Sequence, residues 1–141
     1  MPVTTTVGDL MTEEVLTLGE AQSLGFATGT MKLARIRHLP VVRDGVLVGL
    51  VSHRDLLRAA SEAAARAAAG EPEERLTAGT LMTTEVRTVA PTLPADEAAM
   101  VLLDEKFGCL PVVEDGRLVG IVTEADFLRW AVGVLASANA G

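Results

Sequence analysis

The stretch HLPVVRDGVLVGLVSHRDLL, residues 38–57, is the most informative part of this chain because it occurs twice. It returns without insertion or deletion as CLPVVEDGRLVGIVTEADFL, residues 109–128, so that each residue has a counterpart 71 positions later. Between residues 39 and 58, 13 of 20 positions are identical to their counterparts, and a weaker match extends back to Gly8 and Gly79. The chain therefore carries two copies of one unit, and any site that the unit builds can be present twice.

The composition is typical of a folded globular chain. Hydrophobic residues make up 49% of the 141 residues, the mean hydropathy is +0.35, and no apolar run approaches the roughly 18 residues of a membrane helix. A net charge of −7 opposes binding to the phosphates of nucleic acid, and 3% aromatic residues supply few platforms for stacking bases. We therefore expect neither a nucleic-acid nor a membrane partner. No secretory signal is visible at the start, so we expect a cytoplasmic protein.

Each copy predicts the element order β-α-β-β-α. A short β-rich segment, residues 15–18 or 86–89, precedes a stretch of helical spacing. Two β-branched runs follow, and Asp44-Gly45 or Asp115-Gly116 separates them as a hairpin turn, because these residues accept positive φ. A closing helix begins near the hydroxyl residue that ends the second run.

The first copy differs in its helices. Gly25 and Gly29 lie inside the first helical stretch, which predicts that its packing or its ends differ from those of its counterpart. The closing helix is expected to continue to Ala69, with Gly70 as its stop and a polar linker after it.

These elements predict an α+β fold with tandem repeats. We place the first domain at residues 7–60, a helical extension and linker at 61–78, and the second domain at 79–135. Each unit is small and its strands are apolar on both faces, so we expect the two units to pack sheet to sheet as a pseudo-twofold pair.

The motif that carries chemistry is a hydroxyl followed three residues later by a carboxylate. It occurs as Ser52 with Asp55 and as Thr123 with Asp126, each after a strand that contains a glycine. One interpretation is a capping box at a helix start. The other is a ligand cradle, in which the free amides attract an anion and the carboxylate accepts hydrogen bonds from the hydroxyls of a ribose.

The repeated pattern Leu-Pro-Val-Val, Asp-Gly, Leu-Val-Gly and Ser/Thr-x-x-Asp, with its Leu-Met-Thr opening, resembles a tandem pair of CBS (cystathionine beta-synthase) domains, or Bateman module. The resemblance covers residues 7–131. It implies a regulatory module without catalysis or a catalytic cofactor, which binds AMP, ADP, ATP or S-adenosylmethionine in clefts between the two repeats.

The same resemblance assigns roles to residues of this chain. Asp55 and Asp126 would hold the ribose hydroxyls, and Ser52 and Thr123 the ribose or a phosphate. The adenine would contact the four residues Pro40, Val41, Pro111 and Val112, with its edge read by the main chain near Thr17 or Thr88. Both prolines also have a simpler interpretation, because a proline that opens a strand can occupy a position without a ladder donor.

The two copies differ at positions that a bound ligand would contact. His53 and Arg54 stand in the first motif, with Arg37, His38 and Arg58 nearby in sequence, whereas Glu124 and Ala125 stand in the second, near Gly108 and Cys109. The basic groups would neutralise phosphates, either at their own site or at the facing one. Glu124 would repel phosphate and suits a neutral or cationic tail such as that of S-adenosylmethionine, or an empty site.

Several alternatives stay open at this stage. The chain could be a ligand-free protein–protein interaction module, or a zinc-binding member, since His38 and Cys109 occupy equivalent positions. Nucleophilic catalysis is not expected, because Ser52 and His53 are neighbours at a helix start and their side chains diverge. The resemblance also implies a homodimer, to which the apolar Phe26 in place of Glu97 adds support, and an effector protein that reads the bound ligand.

Overall fold

The computed structural model describes residues 4–73, 75–105 and 108–140. Its mixture of helices and strands confirms the predicted α+β class. In chain order the elements are α1 (Val7–Leu10), α2 (Leu24–Ala34), β1 (His38–Arg43), β2 (Val46–Ser52), α3 (His53–Ala68), α4 (Ala78–Leu81), α5 (Ala95–Asp104), β3 (Cys109–Glu114), β4 (Arg117–Thr123) and α6 (Glu124–Ala140). None of the described helices is both long and apolar enough to cross a membrane.

The chain divides into two compact units whose boundaries differ from those of the sequence repeat. The first-repeat unit comprises Leu16–Val86, and the second-repeat unit comprises Met1–Val15 together with Arg87–Gly141. Each unit contains the hairpin and the two long helices of one repeat, together with the short opening helix of the other. The opening segments of the two repeats are therefore exchanged.

Each exchanged segment attaches to a hairpin through two backbone hydrogen bonds. In the first-repeat unit, the Leu50 N–H donates to the Thr83 carbonyl at 3.0 Å and the Thr83 N–H donates back to Leu50 at 2.9 Å. In the second-repeat unit, Thr12 and Ile121 exchange the same pair of bonds at 2.9 and 3.0 Å. The attachment therefore satisfies backbone groups that an open strand edge would leave unpaired.

Both hairpins confirm the predicted turns and share one register. Asp44 and Gly45 have φ of 53° and 82°, as a two-residue turn with positive φ at both positions requires, and Asp115 and Gly116 repeat this at 53° and 79°. In each hairpin the register shifts at the same place, after Val41 in β1 and after the equivalent position in β3. Such a bulge adds local twist to the ladder.

The predicted β-rich segments at residues 15–18 and 86–89 contribute one parallel bridge each. The Leu18 N–H donates to the Pro40 carbonyl at 2.9 Å, and the Leu18 carbonyl accepts from Val42 at 2.9 Å. Val89 makes the same contacts with β3 at 3.1 and 2.9 Å. Pairing ends there because a turn at residues 20–21, or at 91–92, leads the chain away from the strand.

The predicted difference between the two first helices lies in their ends. α2 is helical through Gly25 and Gly29, and it begins with the Ser23 hydroxyl, which accepts from the Phe26 N–H at 3.1 Å. Pro94 stands at the start of α5 and provides no side-chain cap. α2 closes with Arg35 in the left-handed region, whereas α5 ends in extended backbone at Glu105.

Each unit has a hydrophobic core of its own, built from its hairpin and helices. The closing helix of the first-repeat unit stops as predicted, with Ala69 at its C-cap and Gly70 at a φ of +77°. The core of the first-repeat unit comprises Leu18, Ala27, Met31, Leu39, Val41, Val51, Leu56 and Ala78. The core of the second-repeat unit comprises Val7, Val89, Ala98, Leu102, Leu110, Val112, Val122 and Phe127.

Candidate functional site

In the first-repeat unit, the start of α3 holds a hydroxyl and a carboxylate in a closed box. The Ser52 N–H donates to Oδ2 of Asp55 at 2.8 Å, and the Asp55 N–H donates to Oγ of Ser52 at 3.1 Å. The capping interpretation is therefore confirmed for this copy. Oδ1 of Asp55 accepts no hydrogen bond within the described part of the chain, so one carboxylate oxygen has both lone pairs free.

In the second-repeat unit, the carboxylate at the equivalent position has more hydrogen-bond partners. The Thr123 N–H donates to Oδ2 of Asp126 at 2.8 Å, and the Thr123 hydroxyl donates to the same oxygen at 3.3 Å. The Arg129 guanidinium forms an ion pair with Oδ1 of Asp126, one helical turn further on. Asp126 is only 7% exposed, and both of its carboxylate oxygens are occupied by groups of its own helix start.

The first amide of each closing helix is also used by the chain itself. The His53 N–H donates to the Arg37 carbonyl at 2.7 Å, and the Glu124 N–H donates to the Gly108 carbonyl at 3.3 Å. In α3 the amides of both His53 and Asp55 therefore have partners. The helix start offers fewer free N–H groups to an anion than the sequence predicts.

The structure brings the other first-repeat candidates onto the same hairpin as the box. Leu18 bridges to Val41, which places Thr17 beside β1, and His38 pairs with Ser52 across the ladder. The side chains of Pro40 and Val41 are fully buried, so they belong to the core rather than to an open surface. Their backbone is covered as well, and the Pro40 carbonyl accepts the hydrogen bond from Leu18.

The second-repeat candidates repeat this placement around β3. Val89 bridges to Val112, which sets Thr88 beside the strand, and Cys109 pairs with Thr123. Pro111 and Val112 are fully buried, as their counterparts are. The twelve predicted ligand residues therefore form a set of seven in the first-repeat unit and a set of five in the second-repeat unit.

The two helix starts differ in charge. His53 and Arg54 are both exposed in the first turn of α3, and His38 faces Ser52 across the strands. Glu124 and Ala125 are the exposed residues at the start of α6. An anionic ligand at the α6 box would meet Glu124, whereas the same ligand at the α3 box would meet the Arg54 guanidinium.

The chemistry of Cys109 opposes a thiolate metal ligand. Burial raises the pKa of its thiol to about 12, because the low-dielectric surroundings disfavour the charged form. Among the described residues, no three His, Cys, Asp or Glu side chains lie close enough together to hold a metal ion.

A cavity of about 660 Å³ lies elsewhere in the first-repeat unit, between α3 and the linker that follows it. Its walls include Leu24, Leu76 and Leu81, and Arg66 and Glu71 lie among its polar residues. None of the predicted ligand residues lines it. The cavity and the Asp55 box are therefore separate features of this unit.

Two features of the site region were not predicted from the sequence. A Cβ on Gly49 would stand 2.8 Å from Cγ of Met82, and one on Gly120 would stand 2.9 Å from Cγ of Met11. The strand glycines therefore make room for methionines of the exchanged segments. The ion pair of Asp126 with Arg129 has i, i+3 spacing, which is a recognisable signal in sequence.

The sequence shows clear similarity to one protein family. The CBS domain model matches residues 7–62 and 78–133. The chain is 30% identical over 135 residues to the CBS domain-containing protein YhcV of Bacillus subtilis, which covers 96% of this chain and 89% of YhcV. It is 33% identical over 127 residues to homoserine O-acetyltransferase of Methanococcoides burtonii, but it spans only 24% of that enzyme's length.

Solved structures with the same fold include complexes with small molecules. CBSX2 in complex with AMP has a TM-score of 0.78 and 32% identity, covering 92% of this chain and 97% of that one. The CBS domain pair of MJ0100 in complex with 5′-methylthioadenosine and S-adenosyl-L-methionine has a TM-score of 0.79 and 28% identity, covering 93% and 98%. Hypoxic Response Protein I with two coordinated zinc ions has a TM-score of 0.73 and 32% identity, covering 89% and 98%.

Proposed function

Because the chain belongs to the CBS domain family and carries that domain twice, we propose that it is a regulatory module which binds an adenosyl ligand. The observation that carries the proposal is the recurrence of one hydroxyl–carboxylate box at the start of both closing helices, in a fold whose neighbours hold AMP or S-adenosylmethionine. The chain itself contributes no catalytic group in this proposal. Any enzymatic activity would belong to a partner that it regulates.

The ribose is assigned to the aspartates. Oδ2 of Asp55 caps the helix, while Oδ1 is free to accept hydrogen bonds from one or both ribose hydroxyls. Capping and ligand binding are thus compatible on one carboxylate, since each oxygen has two lone pairs. Ser52 and Thr123 would then keep their aspartates in place and contact the ribose or a phosphate.

The adenine is assigned to the main chain beside the first strand of each hairpin. Thr17 and Thr88 lie next to the bridging residues Leu18 and Val89, where backbone groups can read the edge of a base. The adenine is also assigned to Pro40, Val41, Pro111 and Val112, which have almost no exposed surface, so contact with them requires a local rearrangement.

We propose that the two sites prefer different ligands. The α3 box, beside His53, Arg54 and His38, suits an adenine nucleotide, whose phosphates need cations. The α6 box, with Glu124 exposed and Asp126 paired to Arg129, suits an uncharged or cationic adenosyl compound such as S-adenosylmethionine, or is occupied more weakly.

Calorimetric titration with AMP, ATP and S-adenosylmethionine tests the proposal. We expect heat with at least one of them, together with a rise in the melting temperature as ligand binds the folded state. Asp55→Ala should weaken nucleotide binding tenfold to a hundredfold, about 1.5 to 3 kcal/mol, because the ribose hydroxyls lose their acceptor. Asp126→Ala should in the same way weaken the binding of a ligand at the α6 box.

Asp9→Ala is the matched control. Asp9 closes a capping box of the same kind with Thr6, whose N–H donates to Oδ2 at 2.9 Å, but it lies outside both sets of predicted ligand residues. It should leave the heats unchanged. Absence of heat and of thermal shift with all three compounds would refute the ligand proposal.

A ligand-free interaction module is the second candidate. It is favoured by the observation that both aspartates already accept hydrogen bonds at their own helix starts, so that the repeated pattern has a structural explanation. In that case the aspartate variants would lower stability without any effect on small-molecule binding. Metal content of the purified protein tests zinc binding, which the raised pKa of Cys109 disfavours.

The proposed setting is the cytoplasm, where nucleotides and S-adenosylmethionine are present. We propose that the chain acts as a homodimer and that an effector protein reads its ligand state. A bound ligand can transmit a signal only if it binds one arrangement of the protein more tightly than another. Dimer assembly and effector affinity should therefore change when ligand is added.

A further inference from the structure

Two methionines pack directly on the strand glycines of the hairpins. Met82 lies on Gly49 in the first-repeat unit, and Met11 lies on Gly120 in the second-repeat unit. The methionine Cγ atoms stand 2.8 and 2.9 Å from where a Cβ on the glycine would be, and the sulfur atoms stand closer still. Each methionine belongs to an exchanged opening segment and each glycine to the hairpin that receives it. We call these two pairs the Met–Gly contacts.

The Met–Gly contacts supply the side-chain part of each attachment. The backbone part is the pair of hydrogen bonds between the opening segment and the hairpin, and it is formed by the residues that follow the methionine and the glycine in sequence. Met82 also packs against the hydrophobic core of the first-repeat unit, and Met11 packs against that of the second-repeat unit. Each methionine therefore joins its opening segment both to a strand and to a core.

The two methionines are within reach of solvent. Met11 and Met82 are both partly exposed, whereas Met31 is a core residue with 3% exposure and Met100 on α5 is 62% exposed. The chain thus offers thioethers in three environments. A small reagent dissolved in water can reach those of the Met–Gly contacts without unfolding of the protein.

A thioether of this kind can be oxidised by a peroxide. The sulfur lone pair attacks one oxygen of hydrogen peroxide, and an S–O bond forms as the O–O bond breaks. The proton of the transferred hydroxyl passes to the departing hydroxide, which leaves as water. The sulfur loses two electrons, the peroxide gains them, and the product is methionine sulfoxide.

The sulfoxide does not suit the place that the thioether occupies. The methionine lies so close to the strand that not even a methyl group fits on the glycine between them, and its other neighbours belong to an apolar core. The sulfoxide oxygen is a strong hydrogen-bond acceptor, and burying it without a partner costs free energy. The oxidised side chain should therefore turn towards water and leave the hairpin.

We propose that Met11 and Met82 are oxidation sites, and that their conversion to sulfoxides by a peroxide loosens the opening segments from the hairpins. The inference goes beyond the proposed function and does not require that a ligand bind. Both copies carry the same Met–Gly pair, although residues 53 and 54 differ from their counterparts Glu124 and Ala125. Methionine sulfoxide reductases return the thioether, so the change is reversible.

Graded treatment of the folded protein with hydrogen peroxide tests the proposal. Peptide mass spectrometry follows each methionine, and circular dichroism gives the melting temperature. We expect Met100 to be oxidised first and without effect, and Met31 to be oxidised last. Oxidation of Met11 and Met82 should lower the melting temperature by at least about 4 °C, and treatment with methionine sulfoxide reductases should restore it.

The matched variant is M11L/M82L, in which leucine keeps the apolar volume and cannot be oxidised. It should retain its melting temperature under the peroxide treatment that lowers that of the wild type. Met100→Leu is the control and should lose as much as the wild type. Reversal by the reductases tests the wild type itself, so the proposal stays falsifiable if the leucine variant folds poorly.

Three outcomes would overturn the inference. In the first, Met11 and Met82 resist peroxide as long as the buried Met31 does. In the second, both are oxidised while the melting temperature stays unchanged. In the third, M11L/M82L loses as much stability under peroxide as the wild type, which would assign the damage to another residue such as Cys109.

Discussion

The first-repeat and second-repeat units share a backbone framework but differ in the chemistry at the start of their closing helices. Both have the same turn, the same bulge and the same single bridge to the hairpin. At the box, however, Oδ1 of Asp55 is free of protein partners among the described residues, whereas Oδ1 of Asp126 is paired with Arg129. A few side chains therefore change the chemistry of a repeated site while the fold stays the same.

The far ends of the closing helices differ as well. Where α3 continues with alanines, Glu62 and Arg66, α6 has no charged residue after Arg129 and exposes Val132 and Leu135. The two closing helices therefore present different side chains to solvent.

The largest expected effect tests whether the strand glycines serve packing in both units. Gly49→Ala and Gly120→Ala should each lower the free energy of unfolding by about 1 to 3 kcal/mol, because the new Cβ crowds Met82 or Met11. Gly120→Ala should be the more damaging, since its Cβ would also stand 3.0 Å from the Thr12 carbonyl, which is backbone and cannot rotate away. Urea unfolding measures both.

Two controls accompany the glycine variants. Met82→Ala should relieve part of the loss in Gly49→Ala, because the crowded side chain is then absent. Gly29→Ala lies in α2 with nothing within 4 Å of the new Cβ, so it should raise stability by about 0.5 to 1 kcal/mol. Wild-type stability in Gly120→Ala would contradict the packing role.

The second prediction concerns a titration present in only one unit. The pKa of the Cys109 thiol is raised to about 12, so above pH 9 the unfolded chain loses this proton while the folded chain keeps it. The associated stability is present below about pH 9 and is lost as pH rises, by about 1.4 kcal/mol for each pH unit until the folded pKa is reached.

Urea unfolding at about pH 8 and about pH 10 measures this loss. Cys109→Ala is the reference, because it removes the thiol and leaves every other titrating group. The wild type should lose more stability than this variant between the two pH values. Equal pH dependence in the two proteins would show that the thiol titrates normally.

The smallest expected effect tests the ion pair that distinguishes the boxes. Arg129→Ala should lower stability by about 0.2 to 1 kcal/mol, because Arg129 is 72% exposed and water screens the pair. Arg58→Ala, its counterpart, should have no measurable effect on stability. If a ligand binds at Asp126, Arg129→Ala should also tighten that binding event by freeing Oδ1, and a weakened event would contradict the interpretation.

Local features were the part of the structure that could be predicted from sequence. Asp-Gly between two β-branched runs predicts a turn because few other residues accept positive φ, and both turns have it. The hydroxyl and the carboxylate three residues apart predict a capping box, because a helix start has free amides at that spacing. Gly70 likewise predicts the end of α3.

Several features required contacts between distant parts of the chain. The β-rich segments provide one bridge each, since the chain turns away after Leu18 and after Val89. The strand glycines precede the hydroxyl–carboxylate motif in both repeats, and they lie against methionines of segments that are remote in sequence. Asp55 with Arg58 and Asp126 with Arg129 have identical spacing, yet only the second pair forms an ion pair.

The sequence by itself determined the repeat, the turns, the helix caps and the charges that each site can offer, because these depend on residues within a few positions of one another. The tertiary structure alone decided which opening segment joins which hairpin, and which carboxylate oxygens remain free. The physical reason is that two nearly identical repeats present nearly identical local patterns. Only packing decides which of the two opening segments joins which hairpin.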